Sequence, residues 1–139
     1  NSGAYYACIA RVQIDEDVRV VSVHGAVDAG HVIHPDGLRN QIEGGVIQAA
    51  SWTLKERAGW NEEGFTVQSW DDYPIFGFGD VPQIETAIIR STEPSLGAGE
   101  AAAGPVAAAI GNAVAHALGV RIRQMPITRD RIMAAMMGE

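Results

Sequence analysis

A run of small residues at positions 97–118, GAGEAAAGPVAAAIGNAVAHAL, organises this chain. Glycine and alanine fill 14 of its 22 positions. Its larger apolar residues recur at every fourth position, which is the spacing of one helix face: Val106, Ile110, Val114 and Leu118. Pro105 suits a first helical turn, and Gly119 suits a position just past a helix end. The run therefore predicts a helix over 105–118 that can pack closely on all sides.

A second helix is predicted over 35–56, with Pro35 and Asp36 in its first turn. Its apolar residues also follow the 3.6-residue period: Leu38, Ile42, Val46, Ala49, Ala50, Thr53 and Leu54. Gly44 and Gly45 lie inside this helix, where each costs about 1 kcal/mol relative to alanine. Such a pair indicates the close approach of another backbone or a ligand, or else tight packing of the helix on a sheet.

The remaining segments predict strands. Residues 5–14 and 18–27 are rich in strand formers and flank a short polar turn, so we expect an antiparallel pair. Further strands are predicted at 65–70 and 84–89, an extended piece at 120–124, and a last helix over 128–137 with Thr128 as its N-cap. This order predicts a single α+β domain over 1–139, with two layers and an antiparallel or mixed sheet covered by two main helices.

Composition excludes several classes of function. The chain has 17 acidic and 10 basic residues, a net charge of −7, which argues against binding nucleic acid through its phosphates. One cysteine, Cys8, rules out an internal disulfide framework and an all-cysteine metal site. No apolar run reaches the roughly 20 residues that a membrane-spanning helix needs.

Glu100 is the first candidate for chemistry, because it stands alone among glycines and alanines. Apolar surroundings favour the protonated form of a carboxyl group and suit it to general base catalysis. The alternative is a carboxylate that interacts favourably with the N-terminal end of the following helix.

Polar residues on the helix over 35–56 form a second candidate group: Gln41, Glu43 and Gln48. Gln41 and Gln48 share a face, and their amides could pair with a heterocycle or with phosphate oxygens. The alternative, which the residues alone favour, is a solvated helix face.

Histidines and the cysteine give weaker signals. His31 and His34 lie three positions apart, but a metal site needs further converging ligands that the spacing does not supply, so we interpret both as solvated or hydrogen-bonded loop residues. Cys8 is interpreted as a buried strand residue rather than a nucleophile.

These candidates coincide with a family pattern. Residues 34–48, HPDGLRNQIEGGVIQ, resemble a helix of the molybdenum hydroxylases of the xanthine dehydrogenase and aldehyde oxidase family, and residues 97–100, GAGE, resemble that family's Gly-x-Gly-Glu motif. Asp72-Tyr73-Pro74 fits the spacing between them, and residues 119–128, GVRIRQMPIT, resemble the family's C-terminal segment. The pattern is nearest to the isoquinoline 1-oxidoreductase β-subunit type, which includes nicotinate dehydrogenases.

The resemblance implies a molybdenum-dependent oxidoreductase that hydroxylates N-heterocycles or aldehydes with oxygen from water. Glu100 would be the general base, Gln41 would contact the cofactor near the metal, and Gly99 would let the loop approach it. Gly44 and Gly45 are assigned to cofactor binding as well, and no residue is assigned as a metal ligand. The expected cofactor is molybdopterin carrying molybdenum, in the cytosine dinucleotide form.

The resemblance also implies that much of the enzyme lies elsewhere. Because the family's molybdenum subunit is several times longer, residues 1–139 are expected to be its C-terminal portion, inactive as an isolated piece. One cysteine cannot hold iron–sulfur clusters, so these are expected on a partner chain or domain. The expected partners are the remainder of the molybdenum subunit, an iron–sulfur subunit and a small-molecule substrate. The source is expected to be bacterial, and the compartment stays open.

Ala101 departs from the family pattern, which usually has proline after the glutamate. Alanine lacks the fixed φ of proline, which bears on how Glu100 is placed. The alternative function is a non-catalytic α+β module of the same fold that binds a ligand or a partner. The enzymatic hypothesis predicts an exposed apolar or glycine-rich face, whereas the alternative predicts a Glu100 that is paired or solvated with no cavity beside it.

Overall fold

The computed structural model describes residues 3–138, which form five strands and three α-helices. Their order is β1 (Tyr5–Ile14), β2 (Val18–Asp28), α1 (Pro35–Leu54), β3 (Trp60–Asn61), β4 (Gly64–Phe65), β5 (Gln83–Ile88), α2 (Ala103–Leu118) and α3 (Arg129–Met137). Within the described residues, no helix combines the length and the apolar character that crossing a membrane requires.

The main sheet has three strands in the order β1-β2-β5. β1 and β2 pair antiparallel, from Tyr5 opposite Asp28 to Ile14 opposite Val18, which confirms the predicted hairpin. β5 pairs parallel to β2, with Ser22 opposite Gln83. A parallel pair needs a crossover connection, and α1 supplies it. The sheet is therefore mixed.

Both main helices cover one face of this sheet: α2 packs on β1, and α1 packs on α2 and β5. Three members of the α2 stripe, Val106, Ile110 and Val114, are fully buried, while Leu118 is half-buried. They meet Ile42 and Val46 of α1, which are also fully buried. Burial of each such side chain contributes about 1.5–3 kcal/mol. The two-layer α+β class predicted from the sequence is confirmed.

Two predicted extended segments are wrong. Residues 65–70 do not form one strand, because only Gly64–Phe65 pairs, with Trp60–Asn61, and Trp70 begins a short 3₁₀ turn. The Asp72 carboxylate accepts hydrogen bonds from the Gln68 and Ser69 N–H groups, which bends the chain there. Residues 120–124 are irregular rather than extended in a sheet. The terminal helix forms as predicted, although the Thr128 side chain makes no capping hydrogen bond.

Candidate functional site

The loop that carries Glu100 is tied by backbone hydrogen bonds to the end of β2. The His31 N–H donates to the Glu93 carbonyl oxygen at 2.8 Å, and the Leu96 N–H donates to the Ala29 carbonyl oxygen at 2.9 Å. Gly30 makes this approach possible, since its φ is +66° and an added Cβ would collide with the Pro94 carbonyl group. The loop is therefore held by the sheet rather than free to move away.

Close packing of two helices brings the loop to α1. An added Cβ at Gly45 would lie only 3.1 Å from the Cβ of Ala102, the N-cap residue of α2. Ala102 is buried and follows Glu100 by two positions. The small residue at position 45 thus sets how near the Glu100 loop comes to α1. Of the alternatives for the glycine pair, close approach by another part of the chain applies at Gly45, whose neighbour is the start of a helix and not the sheet.

Gln41 and Gly99 meet in a cleft of about 260 Å³ between α1 and this loop. An added Cβ at Gly99 would lie 3.7 Å from Gln41 Nε2, so the amide group is next to the loop backbone. Gln41 is exposed. Gln48, on the same helix face, does not line this cleft, and Glu43 does not either. The structure therefore separates Gln41 from Gln48 and Glu43.

Glu100 lies on the far side of Gly99, beside a shallow depression of about 490 Å³ that Gly99 also lines. The expectation of an apolar setting for Glu100 is wrong, because the residue is exposed and no element of the described part of the chain covers it. Among residues 3–138 its carboxylate has no ion-pair or hydrogen-bond partner. Glu100 is thus solvated, as the non-catalytic alternative predicts, but a cavity lies beside it, as that alternative does not.

Gly44 has a different environment from Gly45. It is exposed, and an added Cβ there would meet nothing within 4 Å among the described residues. Gly44 and Gly45 follow Gln41 by one helical turn and therefore lie on its side of α1. Open space at Gly44 leaves room for a bulky neighbour, whereas Ala102 fills the space beside Gly45.

His31 and His34 also line the Gln41 cleft, a placement that sequence reasoning missed. His34 is the N-cap of α1, and its Nδ1 accepts the Gly37 N–H at 2.7 Å. The signal available was its position just before Pro35. Both histidines are exposed, and within residues 3–138 no group of three or more His, Cys, Asp or Glu side chains converges on one point.

Cys8 lies on the half-buried side of β1 and faces the covered side of the sheet. Burial raises the pKa of its thiol, which keeps it protonated. Burial likewise raises the pKa of Tyr6, two positions before it. A nucleophilic cysteine needs the opposite shift. The interpretation of Cys8 as a structural residue is therefore favoured.

Known proteins resemble this chain in sequence and in fold. The sequence model of the family described as "Molybdopterin cofactor-binding domain" matches residues 1–82. A subunit of the nicotinate dehydrogenase of Pseudomonas putida is 41% identical over 140 residues, 98% of this chain and 12% of that protein. The β-subunit of isoquinoline 1-oxidoreductase from Brevundimonas diminuta is 31% identical over 91% of this chain and 16% of its own length.

One relative carries the name of a different cofactor. It is the membrane-bound aldehyde dehydrogenase [pyrroloquinoline-quinone] of Gluconacetobacter polyoxogenes, 36% identical over 86% of this chain and 16% of that protein.

A solved structure shares the fold. Quinoline 2-oxidoreductase from Pseudomonas putida superposes with a TM-score of 0.79 at 30% identity, over 86% of this chain and 16% of that one. The chain spans only 12% to 16% of the length of the three curated relatives. The family model covers more than half of the chain. The chain belongs to the molybdenum hydroxylase family, as a segment of a molybdopterin-binding subunit.

Proposed function

We propose that this chain supplies the general base and one cofactor contact of a molybdenum hydroxylase acting on N-heterocycles or aldehydes. The observation that carries the proposal is the juxtaposition of Gln41, Gly99 and Glu100, in which Gly99 lines both the Gln41 cleft and the depression beside Glu100. The names of the relatives, which act on nicotinate and isoquinoline, favour an N-heterocyclic substrate.

The residues present fit a large planar cofactor. The amide of Gln41 can donate and accept hydrogen bonds at the edge of a heterocycle. Gly99 and Gly44 have no side chains of their own; Gly99 lies next to the Gln41 amide group, and the space at Gly44 is open. We infer that Gln41, Gly99 and Gly44 line the cofactor, whereas Gly45 acts indirectly by admitting Ala102. When bound, molybdopterin, in the proposed cytosine dinucleotide form, would supply the two-electron redox chemistry.

Glu100 would act as the base in this site. Its carboxylate is free of partners among the described residues, so it can accept a proton from a water-derived oxygen at Oε1 or Oε2 without first breaking an ion pair. The low-dielectric environment that strengthens such a base would come from the bound cofactor, the substrate and the remaining parts of the subunit. Backbone hydrogen bonds from the loop to Ala29 and His31, which follow β2, hold the segment that leads to Glu100.

Electrons must leave the site by another route than this chain. Cys8 is the only cysteine, and iron–sulfur clusters need several thiolates. We therefore place the clusters on a partner chain or a further domain, with the rest of the molybdenum subunit completing the pocket.

The base is tested by Glu100→Gln in the full-length enzyme, with Glu63→Gln as a matched control on an exposed turn. We expect kcat to fall by about 10²–10⁴-fold for Glu100→Gln, because general base catalysis contributes that much. Glu63→Gln should retain the wild-type rate. An unchanged rate in Glu100→Gln, with normal cofactor content, would favour the non-catalytic module.

The cofactor contact is tested by molybdenum content, measured by elemental mass spectrometry on the full-length protein expressed with its partner. We expect about one atom per chain in the wild type and a clear loss in Gln41→Ala. Gln48→Ala, on the same helix face but outside the cleft, should keep the wild-type content. Bound pyrroloquinoline quinone without molybdenum would disprove the cofactor assignment.

A further inference from the structure

A second cavity, of about 660 Å³, lies on the other side of the chain segment 30–32 from the Gln41 cleft. It opens between the first turns of α1 and the end of β5 with the residues that follow it. The two cavities share His31 and Val32, but Gln41, Gly99 and Glu100 do not line the second one. Its volume is within the range of small-molecule sites.

Positive charge distinguishes this cavity, which we call the Arg39–Arg90 cavity. Arg39 and Arg90 both line it, and no aspartate or glutamate does. This is the reverse of the whole chain, whose net charge is −7. Arg39 pairs with the Asp36 carboxylate at 2.9 Å, which engages only part of its guanidinium group. Arg90 forms no ion pair within residues 3–138.

The hydrogen-bond donors that line the cavity are side-chain groups rather than backbone N–H groups at the start of α1. Pro35 has no N–H, and the Gly37 N–H is already bonded to His34. The Ser91 hydroxyl lines the cavity and accepts the Glu93 N–H at 3.2 Å, so its own proton is left to donate. Two arginines and one serine, each with a side-chain donor to spare, therefore line the same space.

The wall combines the polar residues His31 and Thr86 with an apolar part. Val32, Ile88 and Ile89 line the cavity beside the arginines. Ile89 is 45% exposed, so part of this apolar surface is in contact with water when the cavity holds no ligand. A bare inorganic anion would pair with the arginines but leave this surface hydrated. An anion with an apolar body would satisfy both parts.

We propose that the Arg39–Arg90 cavity binds a small organic anion, with its carboxylate or phosphate on the guanidinium groups and its apolar body against Ile88 and Ile89. This site is separate from the Gln41 and Glu100 site, and the proposal does not depend on molybdenum chemistry. A substrate carboxylate and a cofactor phosphate share this chemistry.

The test uses fluorobenzoate as the probe and fluorine NMR line broadening on the full-length protein, which detects weak binding to a large molecule. We expect saturable binding to the wild type and a dissociation constant about tenfold or more higher in Arg90→Gln, since a lost charge-assisted hydrogen bond is worth about 1.5–3 kcal/mol. Arg39→Gln should weaken binding in the same direction. Arg11→Gln, at an exposed position of β1, is the matched control and should bind as the wild type does.

Two further compounds test which parts of the ligand the cavity recognises. Uncharged fluorobenzamide should bind much more weakly than fluorobenzoate, and inorganic phosphate should displace it only at far higher concentration. Absence of binding to the wild type, equal binding to Arg90→Gln, or equal binding of the amide would each overturn the proposal. Efficient competition by phosphate would overturn the role of the apolar wall and favour a phosphate site. These results are independent of molybdenum content, so the proposed function can fail or stand separately.

Discussion

Two adjacent glycines in α1, Gly44 and Gly45, differ in what surrounds them, and this gives a paired test. Gly44→Ala should raise the free energy of unfolding by about 0.5–1 kcal/mol, because alanine favours the helix and meets no described neighbour. Gly45→Val should lower it by about 1–3 kcal/mol, because the side chain would overlap Ala102. Urea unfolding of both variants measures the difference. Stabilisation by Gly45→Val would show that α1 and α2 are less tightly packed.

The placement of individual residues also explains why the site could be predicted only in part from the sequence. Glu100 and Gln41 were recognisable as unusual residues, and the family pattern connected them. Their relative placement depends on the contact between Gly45 and Ala102, which links two distant parts of the chain; the glycine pair indicated a close approach but not which segment approaches. The exposure of Glu100 was unpredictable for the same reason: small neighbours in sequence do not show whether another element covers a residue.

At the scale of elements, the segment between α1 and β5 is anchored by polar contacts. The Asp80 carboxylate accepts a hydrogen bond from Lys55 Nζ at 2.8 Å and from the Gly77 N–H at 2.8 Å. Phe76 donates its N–H to Ser51 Oγ, which holds the same segment to the end of α1. The hydrogen bond from Lys55 and the one from Gly77 keep the pKa of Asp80 below its ordinary value of 3.8.

This shift gives a pH-dependent prediction. A carboxyl group with a lowered pKa in the folded state stabilises the fold above its ordinary pKa, and the contribution is lost as pH falls through the lowered value. Asp80→Asn should therefore reduce stability at pH 6 by less than about 1 kcal/mol, since the pair is partly exposed. The difference from wild type should shrink below about pH 4. Asp71→Asn, in the same segment, is the control for urea titrations at both pH values.

A difference that stays constant from pH 6 to pH 3 would show that Asp80 acts through packing rather than charge. An equal loss in Asp71→Asn would show that the effect is not specific to the Lys55 contact.

Helices and strands whose apolar pattern continues over many residues were predictable from the sequence, whereas short paired segments were not. The stripes of α1 and α2 span several turns, so their burial follows from spacing alone. β1 alternates between exposed and half-buried residues over its ten positions, and β2 is rich in valine, a strand former. In contrast, residues 65–70 have strand-forming side chains, but among residues 3–138 their strand pairing ends at Phe65, with one more backbone hydrogen bond from the Thr66 N–H to the Gly59 carbonyl oxygen. The parallel direction of β5 depends on the path of α1 across the sheet, which local sequence does not encode.

At the scale of the whole molecule, apolar side chains remain on the surface, as the enzymatic hypothesis predicts. Four aromatic residues between α1 and β5 are highly exposed: Trp60, Phe65, Trp70 and Phe78. Trp60 and Phe65 pack edge to face with ring centroids 4.8 Å apart. On the outer side of the sheet, Tyr5 and Ile9 are exposed as well. Large apolar side chains exposed in this number are typical of surfaces that another chain or domain covers.

The 139-residue chain prepared alone is therefore expected to self-associate. Static light scattering should show an apparent mass that rises with protein concentration and falls toward the monomer value in the double variant Trp70→Ser, Phe78→Ser. The change Gln13→Ser, at an exposed polar position of β1, should leave the concentration dependence unaltered. A constant monomer mass for the wild-type chain at high concentration would contradict the expectation.

One hydrogen bond joins the start of the described chain to the loop that carries Glu100. Gly3 forms a parallel bridge with Gly97, and the Ala4 N–H donates to the Gly97 carbonyl oxygen at 2.7 Å. Strand ends open transiently more often than strand centres. Each opening at the front of β1 therefore releases one support of the loop that carries Glu100. The rate at which the Ala4 amide proton exchanges with deuterium therefore reports how often the loop loses this support, and it can be measured without substrate or cofactor.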